Sequence, residues 1–182
     1  MINKLNLGCG HKLIEGYVNI DNDSGVNPDH IVNIGVDVLP FEDNFFDEVL
    51  ASHILEHINN YIFIMKELYR VCKHNATIEI IIPHHRSDWY YDDPTHVRPI
   101  TINSFQLFSK KYCQKHIDEY SSSNGMALKE NIDFEVIDVK VRFHNKWIER
   151  FKTMSEQEIA DVIEERNNVI VEVYVKLSVI KE

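Results

Sequence analysis

Three groups of residues in this chain have types and spacings suited to chemistry. Gly8-Cys9-Gly10 is followed, eleven residues after Gly10, by Asp21. Glycines let a backbone approach a ligand closely, because no Cβ stands in the way. A carboxylate at the tip of the next strand suits the paired hydroxyls of a ribose. Together they point to an adenosine-containing ligand. A second group, His53-Ile54-Leu55-Glu56-His57, puts residues 53, 56 and 57 on one face if helical, where they could hold a metal. The third is the run from Pro83 to Arg98. It mixes His84, His85 and His96 with Trp89, Tyr90, Tyr91, Asp92, Asp93, Arg86 and Arg98. Aromatics beside charges suit a polar ring with apolar faces, such as a sugar. Histidine is the natural proton acceptor near neutral pH, so His53, His85 and His96 are the candidate bases.

Alternatives to each group can be weighed by spacing. A dinucleotide fingerprint needs a third glycine, which is Leu13 here, and an acid about twenty residues on. No G-x-x-x-x-G-K-[ST] loop occurs, which removes a P-loop. As letters, residues 53–57 spell H-x-x-E-H, the inverted zinc-peptidase motif. That motif needs an established helix, whereas this one follows an apolar strand, and it leaves the glycine turn and Asp21 unexplained. The favoured reading is that Glu56 and His57 cap or brace the helix after that strand. A divalent ion on His53, Glu56 and His57 is the alternative.

The elements that must position these groups alternate strand and helix. Strands are expected near residues 3–8, 17–21, 31–34, 46–52 and 77–82. Ile78, Ile80, Ile81 and Ile82 make the last look buried on both faces. Ile62, Met65, Leu68, Tyr69 and Cys72 at helical spacing place a helix over 60–73. Period-two runs from Phe134 to Phe143 and from Val169 to Leu177 give two late strands. Between them, Ser155 caps a helix reaching about Arg166, with acids in its first turn. Residues 120–125 read as a surface loop. The pattern predicts one α/β domain over residues 1–182 with a mostly parallel, doubly wound sheet.

Composition narrows the partners. The 182 residues carry 19 basic and 29 acidic side chains, a formal charge of −10, which argues against a nucleic-acid partner. Lys110-Lys111, with Lys115 and His116, reads as a solvated helix face. Cys9, Cys72 and Cys113 make neither a zinc pattern nor a disulfide framework, so reduced thiols in a cytoplasm are expected. No apolar run is long enough to span a membrane, and no signal peptide is read before the first strand.

Leu5 to Gly10, Gly16 to Asp21, Asp37-Val38-Leu39-Pro40-Phe41, Phe46 to Leu50 and His53 to His57 occur in an order that resembles class I S-adenosylmethionine-dependent methyltransferases. The likeness runs from residue 2 to about 83, and more weakly through Asp93 to Pro99. It is similar to a small, stand-alone branch associated with sugar and polysaccharide biosynthesis. The resemblance implies a Rossmann-like seven-stranded sheet of order 3-2-1-4-5-7-6 with an antiparallel C-terminal strand. It also implies S-adenosylmethionine as cofactor. Leu7, Gly8, Cys9 and Gly10 would wrap its methionine part, and Asp21, with Asn22 beside it, its ribose. Asp37 would sit near the adenine amine, Val38 and Leu39 on the ring, and Ser52 and His53 by the sulfonium. The implied acceptor is a saccharide or other small hydroxylated molecule. Trp89, Tyr90, Asp93 and Arg98 would contact it, and His96, His53 or His85 would take its proton. Methylation of a different small molecule, or a non-catalytic cofactor-binding module, are the alternatives. Two departures stand out: residues 11–16 leave room for no more than a very short first helix, and Lys73-His74-Asn75-Ala76 replaces the family's Pro-Gly-Gly.

Overall fold

Alternation of apolar and polar side chains along the strands gives the sheet two unlike faces. The computed structural model describes residues 2–120 and 125–181. Its strands are β1 (Lys4–Leu7), β2 (Val18–Asp21), β3 (His30–Ile31), β4 (Phe46–Ser52), β5 (Cys72–Pro83), β6 (Phe134–Phe143) and β7 (Ile170–Val179). They form one seven-stranded sheet in the order β3-β2-β1-β4-β5-β7-β6. Neighbours from β3 to β5 pair parallel, while β7 runs antiparallel to both β5 and β6. This is the expected Rossmann-like order and direction.

The helices are α1 (Tyr61–Val71), α2 (Asp88–Tyr91), α3 (Ile102–Gln106), α4 (Lys110–Tyr120), α5 (Met126–Glu130), α6 (Asn145–Phe151) and α7 (Glu156–Glu165). Asn60 caps α1 by accepting from the Phe63 amide, and the helix buries Ile64, Met65, Leu68 and Val71. Ser155 caps α7 and Glu156 and Glu158 lie in its first turn, as the sequence predicts, and Glu158 also reaches back to close a reciprocal capping box. Leu7, Ile20, Ala51, Ile80 and Val175 stand side by side on one face of the sheet. They share a buried cluster with Ile64, Met65 and Leu68 of α1 and with Phe105, Phe108 and Ile132.

The opposite face is polar. In register across it run Asn19, Asn6, Leu50, Glu79, Lys176 and Asp138. Cross-strand ion pairs Lys4–Glu48 (2.7 Å) and Glu79–Lys176 (3.0 Å) lie on this face. Strand β5 is therefore not buried on both faces, as its isoleucines suggest: Glu79 is exposed and Thr77 and Ile81 are half-buried. The cause is local. The connections after β1, β2 and β3 contain turns and one 3₁₀ turn (Ser24–Val26) but no α-helix, so little apolar surface is offered to that side. Residues 11–16 make no helix at all. Instead, buried Asn19 ties their turn to the sheet: its Oδ1 accepts from Ile14 N (2.8 Å) and Asn6 Nδ2 (2.9 Å), and its Nδ2 donates to Ile14 O and Tyr17 O.

Three boundaries differ from expectation. β3 is two residues long rather than spanning 31–34. β5 begins at Cys72, directly off α1, and Asn75 adopts φ +63 within it. Of the expected loop at 120–125, residues 121–124 lie outside the described residues, and Tyr120 ends α4.

Candidate active site

The carboxyl ends of β1, β2 and β4 converge on the glycine turn. Gly8 and Cys9 both donate to Ile20 O (3.0 Å), so the turn is pinned to the end of β2. Gly8 has φ +68, and a Cβ there would lie 2.6 Å from Ile54 Cγ1. Gly10 has φ +48 and open space where a Cβ would stand. Asp21 locks the arrangement: Oδ2 accepts from Gly10 N (2.8 Å) and Oδ1 from Asp23 N (3.0 Å). A carboxylate offers about four acceptor positions, so each oxygen keeps capacity for a ligand hydroxyl.

Asp21 and Asn22 line a cavity of about 460 Å³. Its other walls come from Asn33–Val36 after β3 and from Ile54, His57–Asn60 and Phe63 after β4. Gly35 (φ +86) approaches Ile58 so closely that a Cβ would meet its Cγ2 at 2.4 Å. An acid, the close-packed Gly35, apolar Ile34, Val36, Ile58 and Phe63, and four asparagines fit a ribose and a flat heteroaromatic base.

Asp37, Val38 and Leu39 do not line this cavity. β3 ends early, so residues 33–36 occupy the strand's carboxyl end. Asp37 turns back to accept from Asn33 N (3.0 Å), Val38 faces solvent, and Leu39 is buried in the core. There, Leu39 N donates to Glu67 Oε2 (2.8 Å). Ser52 is half-buried and Leu7 fully buried, and neither borders the cavity. Cys9 is buried, and burial, with Asp21 nearby, pushes its thiol up.

The candidate histidines divide. His53 sits just past β4 with φ +52, an uncommon backbone for a residue with a Cβ. Its Nε2 is 2.8 Å from Glu172 Oε1 and its Nδ1 3.4 Å from Glu56 Oε1. The Glu56 carboxylate, with Glu172 behind it, holds the His53 imidazole above the ordinary histidine range against the opposing effect of burial. Glu172 also accepts from Arg142 Nε (3.0 Å) and from the Tyr174 hydroxyl. Burial opposes its ionisation, but the Tyr174 and His53 hydrogen bonds hold it below the usual carboxylate range. His96 is nearly buried, stacks on Tyr90 and gives its Nδ1 to Tyr90 O (2.6 Å). His57 packs against it, with ring centroids 4.6 Å apart. His85 lies elsewhere, on a separate cavity of about 240 Å³ with His84 and Val173. Burial lowers both of those imidazoles, His84 to about 4.

Of the expected acceptor contacts, Asp93 and Tyr90 join the His96 cluster. Trp89 lies under Arg142 (4.6 Å to the ring centroid), and Arg98 donates to Asn59 O and lies over the Tyr61 ring. Glu172, Arg142 and Tyr174 are absent from the sequence-based set. They stand at the antiparallel β6–β7 end, which linear spacing does not connect to residue 53.

Residues 15–80 match the family model described as a methyltransferase domain. An S-adenosylmethionine-dependent methyltransferase from Archaeoglobus fulgidus is similar in structure, with TM-score 0.60, 18% identity, and 97% of this chain and 86% of that one covered. This chain has the fold of the S-adenosylmethionine-dependent methyltransferases. The [4+2]-cyclase SpnF is similar too, with TM-score 0.60, 13% identity, and 100% of this chain and 76% of that one covered. The methyltransferase fold is thus a scaffold on which the site, not the topology, decides the reaction. An uncharacterized protein of Methanocaldococcus jannaschii is 30% identical over 73 residues, spanning 38% of this chain and 32% of that relative. No helix among the described residues is long and apolar enough to cross a membrane.

Proposed function

We propose that this chain is an S-adenosylmethionine-dependent methyltransferase acting on the oxygen of a sugar or other small hydroxylated acceptor. One observation carries the reading. Asp21, which accepts from Gly10 N of the glycine turn, and His57, whose ring packs on His96, line one cavity. The donor would thus lie beside the histidine cluster that includes His53. The match of residues 15–80 to a methyltransferase domain supports the same reading.

The bound donor supplies the methyl carbon and its own leaving group, so no enzyme nucleophile is needed. The chain's tasks are to hold an acceptor oxygen in line, to take its proton and to keep water away. An acceptor oxygen that took the methyl, with the donor's methyl–sulfur bond breaking, would lose its O–H proton to His53 Nδ1. Glu172 fixes that tautomer by holding Nε2–H at 2.8 Å. His53 is the more accessible base, with its side chain 43% exposed against 7% for His96. Asp21 would hold the ribose hydroxyls.

Calorimetry with S-adenosylmethionine and S-adenosylhomocysteine tests the donor site. Micromolar binding is expected, weakened at least about tenfold in Asp21→Ala, where the hydrogen bonds of one charged group are lost. No binding by the unmodified chain would end the proposal. Labelled methyl transfer to a panel of hydroxylated sugars then separates an enzyme from a binding module. Donor binding without transfer to any hydroxylated acceptor would favour the module.

A further inference from the structure

We propose that Glu56, His57 and His96 form a binding site for a divalent transition-metal ion, with zinc the best-matched probe. Their ligand atoms lie within 4.8 Å of one another. Small rotamer movements would bring them to the roughly 2.1 Å from a shared centre that zinc takes.

The first observation is Glu56 itself. The residue is 1% exposed, and neither carboxylate oxygen has a hydrogen-bond partner among the described residues. Buried carboxylates are ordinarily paired, hydrogen-bonded or bound to metal. Arg98, close by in sequence to His96, is turned to Asn59 O and the Tyr61 ring and makes no ion pair with Glu56 among the described residues. His53 Nδ1 comes to 3.4 Å without completing a hydrogen bond, and its Nε2 is committed to Glu172.

The second observation is how the two imidazoles are set. His96 Nδ1 lies 2.6 Å from Tyr90 O. A carbonyl cannot donate, so Nδ1 carries the hydrogen and Nε2 is left with a lone pair, 4.0 Å from Glu56 Oε1. Thr95 Oγ1 donates to Asp93 Oδ1 (2.6 Å) and sits 2.8 Å from His57 Nδ1. With its proton given to Asp93, that hydroxyl must accept from His57 Nδ1–H, which frees the Nε2 of His57. Ligating histidines are characteristically held this way, one ring nitrogen donating to an oxygen and the other open to the ion. The Asp93–Thr95–His57 chain and the Tyr90 carbonyl are such outer supports, and Val97 N→Glu56 O (2.9 Å) staples the two contributing segments together.

Two imidazoles and one carboxylate suit zinc with an open fourth position, or another first-row divalent ion. The set differs from the one on residues 53, 56 and 57 that the sequence suggests: His96 enters and His53 is left out. His57 also borders the donor cavity. If the methyl-transfer reading holds, the open position would receive the acceptor oxygen and ease loss of its proton. That use rests on the proposed function, but metal binding does not.

The test uses the chain stripped with chelator and titrated with Zn²⁺ against a chromophoric competitor, with no methyl donor present. One equivalent per chain is expected, at micromolar affinity or tighter. His57→Ala and His96→Ala should each weaken it about tenfold or more, and Thr95→Val, an outer support, by about ten- to a hundredfold. His85→Ala, on its separate cavity, should leave it unchanged. Glu56→Gln keeps the shape, guards against a misfolded variant, and should lose Zn²⁺ affinity while the metal-free protein resists denaturant better than the parent. No saturable binding below about 100 µM, or binding indifferent to both Glu56→Gln and His96→Ala, would overturn the site. Because donor binding is measured separately, failure of either proposal leaves the other standing.

Discussion

Replacing Gly8 by alanine tests whether the turn is held by sterics at one atom pair. Gly8 has φ +68, where a residue with a Cβ is disfavoured by about 1–2 kcal/mol. Its new methyl would meet Ile54 Cγ1 at 2.6 Å, Cδ1 at 2.7 Å and Cβ at 2.9 Å. Overpacking of this kind costs about 1–3 kcal/mol more. The sum, about 2–5 kcal/mol, is a large share of the roughly 5–15 kcal/mol that holds a domain folded. With a urea dependence of about 2 kcal/mol per molar, the midpoint should fall by about 1–2.5 M. Gly10→Ala is the internal control. It carries the same kind of backbone penalty (φ +48) but has nothing within 4 Å, so about 1–2 kcal/mol is expected. Adding Ile54→Ala removes the two closest atoms and should recover about 1 kcal/mol of the Gly8→Ala loss in a double-mutant cycle. Equal losses for Gly8→Ala and Gly10→Ala, with no coupling to residue 54, would refute the steric account.

Glu172→Gln should cut turnover about ten- to a hundredfold while leaving the S-adenosylmethionine dissociation constant unchanged, because its partner His53 is the proposed base. Equal losses in both would mean that Glu172 only braces β7. Asn19→Ala strips two donors of their acceptor in the shortened β1–β2 connection. It should cost about 2–4 kcal/mol by urea denaturation, and a loss below about 1 kcal/mol would show that this turn does not need the tie. Burial opposes ionisation of Glu67, but Arg70 and the Leu39 amide outweigh it and lower the carboxyl below its ordinary 4.5. A lowered folded value means stability that is present above about pH 4.5 and lost as pH falls through the folded value. The urea midpoint of the parent should therefore drop from pH 6 to pH 3.5 by more than that of Glu67→Gln, and parallel curves would reject the assignment.

Much of the sheet is legible in linear order because its signals are local. The β1 run ending in glycines, the α1 stripe and the Ser155 cap each depend on residues within a few positions. Asn6 and Asn19 carry no such signal. Each reads as an ordinary polar residue inside a strand, and their value comes from pairing across β1–β2 beneath a turn that has no helix. The Ile-rich β5 misleads for a related reason. Ile81 suggests burial on both faces, whereas the face it shares with Glu79 and Thr77 lacks a covering helix. Asp37 misleads because β3 stops at Ile31, which moves the cavity wall to residues 33–36.

The amino-acid sequence by itself determined the order of the strands, the two helices near residues 60–73 and 155–166, the glycine turn with its acid, and a histidine-rich zone near residues 53–57 and 83–98. These follow from backbone preference and hydrophobic period, which act over a few residues. Tertiary structure decided which side chains meet. It set Glu172, more than a hundred residues from His53, against that imidazole. It also left Glu56 buried, without a hydrogen-bond partner among the described residues, close to His57 and His96. Such pairings depend on where the crossovers and the antiparallel β7 return the chain, and on what desolvation then demands of each charge. Neither quantity is local in sequence.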